Sequence, residues 1–523
     1  MAEPAEKLKP VEIGPKRKIA KPYDLILGRR TREQVLALCG PIGCGMKDIS
    51  TRVAGCFKRY GFEVIPVKAS DLIIEAIKTL EGKGLLEKKH QLEDWDSEDK
   101  RIDTLQSMGD LLRGKYGSDI VAQLFIKKVS THRQGLITDE ELEKGQVHKE
   151  SSKENGKPVI WILDSLKHPE EVKLLRLVYE KMFNLIGVLS SFETKKHFLV
   201  ENFGVTLDRA ADLISRDESE EISHGQKLIK TLQFGDFFIR NSQFETNRVV
   251  DSIERCVKLI LGDNSITPTH GEYAMYQAQS SAFRSGCMSR QVGAAIVNSH
   301  GEIVATGFND APQFGGGVYT EDSPKDGRCF KIFGGECKND QKKTKMKKKI
   351  KELLSEKNPK IVIDDSLISY ISDHTGISDL TEYCRAVHAE MDAITSAARK
   401  GISLRDGSIY VTTFPCHNCA KHIIASGIKK AYYIEPYEKS LALSMHNDST
   451  STDGRSNTVA FLPFEGVAPR QYQNRFCSTT NKKVGGKFAG MEVGEETPAY
   501  AQLLDCFPEY EVKIVDTLTG NGL

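Results

Sequence analysis

The chain has 523 residues, with 73 Lys and Arg against 72 Asp and Glu, and 12 cysteines. That length calls for two or three domains, and the balanced charge excludes a chain-wide bias towards nucleic acid or membrane surfaces. No apolar run is long enough for a membrane helix, the polar start MAEPAEKLKPVEIGPKRK lacks the apolar core of a secretion signal, and the unpatterned cysteines read as thiols and metal ligands of a cytoplasmic protein.

Residues 1–25, rich in Lys, Pro and Glu, are expected to form a mobile tail. Residues 26–262 form the first predicted domain. An apolar strand, Val35 to Cys39, runs into a glycine-rich turn and then helix-like sequence through Tyr60. That is the layout of a P-loop, where backbone amides and a helix N-terminus hold phosphate oxygens. The consensus GxxxxGK[ST] is met in part: Gly40 and Gly45 have the right separation, with Gly43 between them, but Met46 holds the lysine position. Lys47, one place later, is therefore the candidate phosphate ligand, with Ser50 as a candidate hydroxyl. FEVIPV, PVIWILD, FNLIGVLS and GDFFIRNS predict further strands, separated by helical stretches such as HPEEVKLLRLVYEKMF. The pattern is an α/β fold with a parallel sheet covered by helices on both faces. Asp164 ends VIWILD, where a Walker B carboxylate would meet a metal ion. Arg209 and Arg216 are candidate lid arginines, against the plainer reading of surface charges.

The second predicted domain spans 263–475, with an insertion at about 311–383. Within that insertion KNDQKKTKMKKKIKELLSEKNPK suits an exposed helix with a solvated lysine face, or a basic surface for RNA or a triphosphate. Beyond it stand His388-Ala389-Glu390 and Pro415-Cys416-His417-Asn418-Cys419. A histidine, a nearby glutamate and a P-C-x-x-C form the signature of zinc nucleobase deaminases. His388, Cys416 and Cys419 would fill three positions of a tetrahedral Zn2+ and leave the fourth open. Glu390 would carry protons while water replaces the amino group at C4 of cytosine. A structural zinc closed by His417 or His422 is the plainer alternative, but it leaves Glu390 without a task. AEMDAITSAARKG reads as a helix from about Ala389, stopped at Gly401, and SIYVTTF as a strand from Ser408 to Phe414. A helix opened by Pro415 would carry Cys416 and Cys419 in its first turn, where the dipole favours thiolate. AYYIEP predicts the next strand, DSTSTDGRSN a polar loop, and YEVKIVDTL a strand within a C-terminal extension, 476–523. That extension is expected to pack on the first domain or to form a subunit contact.

VHAEMDAITSAARKG and IYVTTFPCHNCAKHIIASGIKKAYYIEPY are similar to the deoxycytidylate deaminase family, in viral and cellular forms. Upstream, SRQVGAAIVNSHGEIVATGFND (Ser289 to Asp310) resembles the family's first two strands, with GFND in place of G-Y-N-G. The resemblance implies a cytidine-deaminase-like α/β/α sandwich and a deoxycytidine nucleotide substrate. It also implies substrate contacts from Asn309, Ala389 and Tyr437, and a homo-oligomer. It raises a second, structural zinc drawing on Cys329, Cys337 and Cys384. The N-terminal half resembles the P-loop nucleoside-monophosphate-kinase group, which implies a nucleotide at that loop. Together the halves resemble bacterial two-domain anti-phage dCTP/dCMP deaminases. That likeness implies depletion of the deoxycytidine nucleotide pool and restraint by a small RNA. Two other readings stay open: a polynucleotide cytosine deaminase, opposed by the near-neutral charge, and a catalytically silent nucleotide- or RNA-binding regulator, opposed by the intact His388, Glu390, Cys416 and Cys419.

Overall fold

The computed structural model describes residues 31–87, 95–135, 157–218, 227–241, 246–357, 363–380, 383–436, 440–454, 457–477, 482–488 and 507–523. The expected tail at 1–25 and Tyr437 lie outside the described residues. The first half runs β1 (Gln34–Cys39), α1 (Met46–Arg59), β2 (Glu63–Lys68), α2 (Ala69–Gly82), α3 (Glu98–Tyr116), α4 (Ile120–Gln134), β3 (Val159–Asp164), α5 (Pro169–Tyr179), β4 (Phe183–Leu189), α6 (Phe192–Phe203), α7 (Leu207–Glu218), α8 (Leu228–Leu232), β5 (Phe237–Arg240) and α9 (Thr246–Leu261). The second runs α10 (His270–Ala282), β6 (Gly293–Val297), β7 (Ile303–Phe308), α11 (Lys338–Lys357), α12 (Asp365–His374), α13 (Ala389–Arg399), β8 (Ser408–Thr413), α14 (His417–Ala425), β9 (Lys430–Glu435), α15 (Ala442–Met445), β10 (Thr450–Ser451), β11 (Val459–Pro463), β12 (Gly466–Val467), α16 (Tyr472–Phe476), β13 (Lys483–Val484), β14 (Lys487–Phe488) and α17 (Pro508–Gly520).

The first sheet has the order β12-β5-β4-β1-β3-β2, and its strands β1 to β5 pair in parallel. Central strands of such a sheet are covered on both faces, so after Gln34 β1 reads as an unbroken apolar run, and every residue of the strand is buried. Its alternate residues divide between two cores. Val35, Ala37 and Cys39 face one set of helices, while Leu36 and Leu38 meet Ile49, Val53 and Phe57 of α1 on the other. The chain crosses from β2 and β3 on one side of β1 to β4 and β5 on the other. The crevice beyond the carboxyl end of β1 is thus the place where open α/β sheets bind ligands.

The second sheet has the order β10-β11-β9-β8-β6-β7 and is mixed, with the β6–β7 hairpin antiparallel and β8, β9, β11 and β10 parallel. Period-2 alternation again sorts the faces. Ala295 of β6 joins Met275 and Ala278 of α10, whereas Ala294 and Ile296 join Ala389, Ala393 and Ala397 of α13. Both helices press close because the hairpin offers glycine at the crossings. A Cβ on Gly293 would fall on backbone of Ala278 and Ala282, and one on Gly307 on backbone of Ala389 and Ala393.

The halves share one core and one sheet edge. Directly after β11 the chain adds β12 antiparallel to β5, on the far side of the expected domain division. The rings of Phe238 and Phe464 meet edge-on at 6.2 Å in the core between the sheets. Glu272 locks the junction: its carboxylate, 1% exposed, accepts from Thr269 N–H at 2.7 Å, Val467 N–H at 3.0 Å and Arg255 at 2.6 Å.

Two local expectations need correction. YEVKIVDTL is helical, within α17: Pro508 sits in its first turn with Glu509 and Glu511, and of its buried residues Pro508, Glu511 and Leu518 the last two are seven apart on one face. The polar stretch DSTSTDGRSN contains β10, a short strand parallel to β11. The lysine-rich segment forms α11 with no buried residue.

α17 packs on the first domain through a buried ionic cluster. Arg133, 3% exposed, donates to Glu33 at 2.7 Å and to Glu511, and Tyr179 Oη donates to Glu511 at 2.9 Å. Arg133→Met leaves two buried carboxylates without the guanidinium between them. It is expected to lower stability in urea unfolding by about 3–5 kcal/mol.

Candidate active site

The site is built from two helix N-termini that meet at the ends of β7 and β8. His388 is the N-cap of α13 (φ −74°, ψ 155°), which leaves its ring at the helix mouth and puts Glu390 in the first turn. Asp392, one helical step on, accepts the Phe308 N–H at 3.2 Å and ties α13 to β7. Cys416 is the N-cap of α14, one position outside the helix that the sequence predicts for it, and Cys419 lies in the first turn.

Nδ1 of His388 lies 3.4 Å from Cys416 Sγ and 3.3 Å from Cys419 Sγ. All three donor atoms are within 4.8 Å of one another, a grouping found nowhere else among the described residues. Tetrahedral zinc with ordinary Zn–N and Zn–S bonds needs N to S separations of roughly 3.5 Å. The donor set therefore fits the ion in chemistry and in spacing. Cys416 is drawn down to about 4, first by its hydrogen bond with Cys419 and then by His388. His388 is pushed up to about 11 by hydrogen bonds with Cys384 and Cys416. The Cys416 sulfur therefore holds negative charge beside the imidazole, whereas a hydrogen bond with Cys416 and burial hold the Cys419 thiol well above the ordinary range.

Glu390 is 4% exposed, and burial raises its carboxyl pKa above the usual range. It shares a hydrogen bond with Cys419, so it faces the donor cluster. Neither His417 nor His422 joins the cluster; His422 Nδ1 lies 2.7 Å from Asn418 O of its own helix. A closed four-ligand shell from either one is not what this geometry offers.

The cluster opens into a cavity of about 230 Å³ lined by His388, Ala389 and Glu390 at its base and by Val292, Phe414 and Arg290 around it. Asn309 also lines it, but its side chain braces the rim: Oδ1 accepts Val292 N–H at 2.8 Å and Nδ2 donates to Arg290 O at 2.7 Å. Arg290, half exposed, is the one Lys or Arg among the described lining residues, and it pairs with Glu435 at 3.1 Å. Glu435 also accepts from Thr413 at 3.1 Å and from Gln233 of the first domain. Sequence reading passed over Arg290 and Glu435 although both lie inside quoted segments, because only the fold brings them together.

Cys329, Cys337 and Cys384 line one small cavity with Cys287, yet their sulfurs do not form a three-donor group at the spacing of the His388 cluster. In the first domain, Gly43 and Gly45 take positive φ (81° and 75°) in the turn after β1. Beside Gly40 the space is taken by Met46 Cε, Cys44 Sγ and Val188 O. Lys47 is exposed on α1, and Asp164 ends β3 with its carboxyl pKa raised by burial. Arg209 and Arg216 turn away from this loop towards α3, where both bond Asp103 and Arg216 also reaches Ser107 at 3.0 Å.

Residues 268–435 match the family model described as the cytidine and deoxycytidylate deaminase zinc-binding region. Over 157 residues the chain is 34% identical to the deoxycytidylate deaminase of Enterobacteria phage T2, covering 30% of this chain and 74% of that protein. The phage T4 enzyme is 32% identical over 157 residues, covering 30% of this chain and 72% of its own length. A solved dCMP deaminase from the cyanophage S-TIM5, in complex with dCMP and dUMP, is 19% identical with a TM-score of 0.23, covering 38% of this chain and 98% of that one. On the identity to the phage enzymes over most of their length, the chain belongs to the deoxycytidylate deaminase family.

Proposed function

We propose that the protein is a zinc-dependent deaminase that hydrolyses dCMP and dCTP to dUMP and dUTP. The observation that carries this reading is the meeting of His388, Cys416 and Cys419 with the buried carboxylate of Glu390 at the base of one cavity. A zinc ion held by those three side chains would supply Lewis acidity at an open fourth position. Glu390 takes a proton from the attacking water and delivers it to N3 of the pyrimidine. It then passes a second proton to the amino group leaving C4 as ammonia. Its raised pKa brings a carboxylate closer to the near-neutral range in which such shuttling is efficient. Val292 and Phe414 give the ring apolar walls, and Asn309 holds the rim segment that presents Arg290. Arg290 is assigned the phosphate, since a guanidinium matches phosphate oxygens in charge and geometry.

The Gly40–Gly45 loop is read as a second nucleotide site. A homo-oligomer is implied by the resemblance to the deaminase family, and depletion of the deoxycytidine nucleotide pool during phage infection and restraint by a small RNA by the resemblance in domain arrangement.

Glu390→Ala is expected to retain zinc by elemental analysis while ammonia release from dCMP falls by about 10²–10⁴-fold; an undiminished rate refutes the assignment. Dialysis against a strong chelator should abolish turnover and zinc should restore it, whereas Cys419→Ala should not be restored. Arg290→Gln should raise KM for dCMP about tenfold with little change towards deoxycytidine, which has no phosphate to lose. An equal effect on both substrates would move the phosphate elsewhere.

A further inference from the structure

The turn after β1 already contains an anion, and it belongs to the chain. Asp217, near the end of α7, is 1% exposed, and its Oδ2 accepts the Ile42 N–H at 2.7 Å. Its two oxygens also accept from Lys167 Nζ at 2.9 and 2.8 Å, and the same ammonium donates to Gly40 O at 2.9 Å. A loop amide and a lysine converging on buried oxygens is how a glycine-rich loop holds a phosphate group. Lys167 thus stands in for the lysine that Met46 displaces from the motif, and it reaches the loop from beyond β3.

α7 is fastened at other points as well. Ile42 packs with Leu199 of α6 and with Ala210 and Ile214 of α7 in a small separate core. Arg209 and Arg216, which would otherwise be free to meet phosphates, are held by Asp103 of α3. Burial disfavours the Lys167 ammonium, but the charge and hydrogen bonds of Asp217 keep it protonated. The ammonium is therefore retained at neutral pH.

We infer that Asp217 is an internal phosphate mimic that seals the Gly40–Gly45 loop, and that a polyphosphate ligand binds there by replacing its carboxylate at Ile42 N–H and Lys167, releasing α7. This rests on the reading of that loop as a nucleotide site. The ligand class is the polyphosphate of a nucleotide, because the contacts replaced are an amide and an ammonium and involve no base. A carboxylate and a phosphate oxygen cannot occupy the same donors, so occupancy of the loop and closure of α7 exclude one another.

Inorganic tripolyphosphate is the probe, titrated calorimetrically into the full chain. Asp217→Asn removes the competing charge at nearly constant shape and is expected to bind about tenfold more tightly than the unaltered protein. Lys167→Met added to Asp217→Asn should abolish the gain. In the unaltered protein, saturating tripolyphosphate should slow deuterium uptake in 40–46 and speed it in 207–218, a readout that does not depend on how the variants fold. Equal affinity of both proteins, or protection of 40–46 without loosening of 207–218, overturns the seal and leaves the loop a nucleotide site. Absence of binding and of protection in either protein overturns the nucleotide reading itself.

Discussion

The closeness of α13 to β7 is the constraint on which the deaminase half depends. At Gly307 the strand has no side chain, and the first turn of the helix occupies the space where one would be. That contact sets the height of His388 and Glu390 above the sheet, while the end of β8 sets Cys416 and Cys419 against them. A site whose members stand on helix mouths backed by a sheet is held to a fraction of an ångström without relying on flexible loops. Gly293 plays the same part on the opposite face, so the β6–β7 hairpin is gripped from both sides.

The grouping of His388, Cys416 and Cys419 was legible in the sequence because it is encoded locally. Three zinc-type donors and a carboxylate fall in two short segments, each opening a helix, and residue type and spacing identify them. The parallel strands of the first sheet were legible as apolar runs, and in β1, β3 and β4 cover on both faces leaves no alternation to misread; β12, two residues long, was not read. Where polarity and period were ambiguous, the reading failed. Val512 and Ile514 alternate as a strand would, but the buried positions Glu511 and Leu518 follow a helical repeat begun by Pro508. Thr450 and Ser451 form an edge strand from residues that are polar, so nothing in their composition announces it.

Pairings between distant residues were invisible for a different reason. Arg290 meets Glu435 across 145 positions, counted from 290 to 435, and Lys167 meets Asp217 through the crossing of two layers. An overall balance of charge conceals such placements. The chain as a whole is nearly neutral, yet Arg133, Arg176, Arg255 and Lys167 each serve a largely buried carboxylate at a point where helices, strands or loops must stay together. Gln233 and Glu435 extend the same habit across the two halves, beside the rim of the cavity.

β12 makes the halves a poor pair of fragments. Gly466 and Val467 lie downstream of every strand of the second sheet and yet close the β5 edge of the first. A polypeptide stopped before them would leave β5 with unpaired amides and carbonyls, a surface prone to sticking to other chains. A polypeptide begun at 263 would carry the strand with nothing to lie against and Glu272 without Arg255. The catalytic half is therefore not simply appended to its neighbour; its strand β12 is part of the neighbour's sheet.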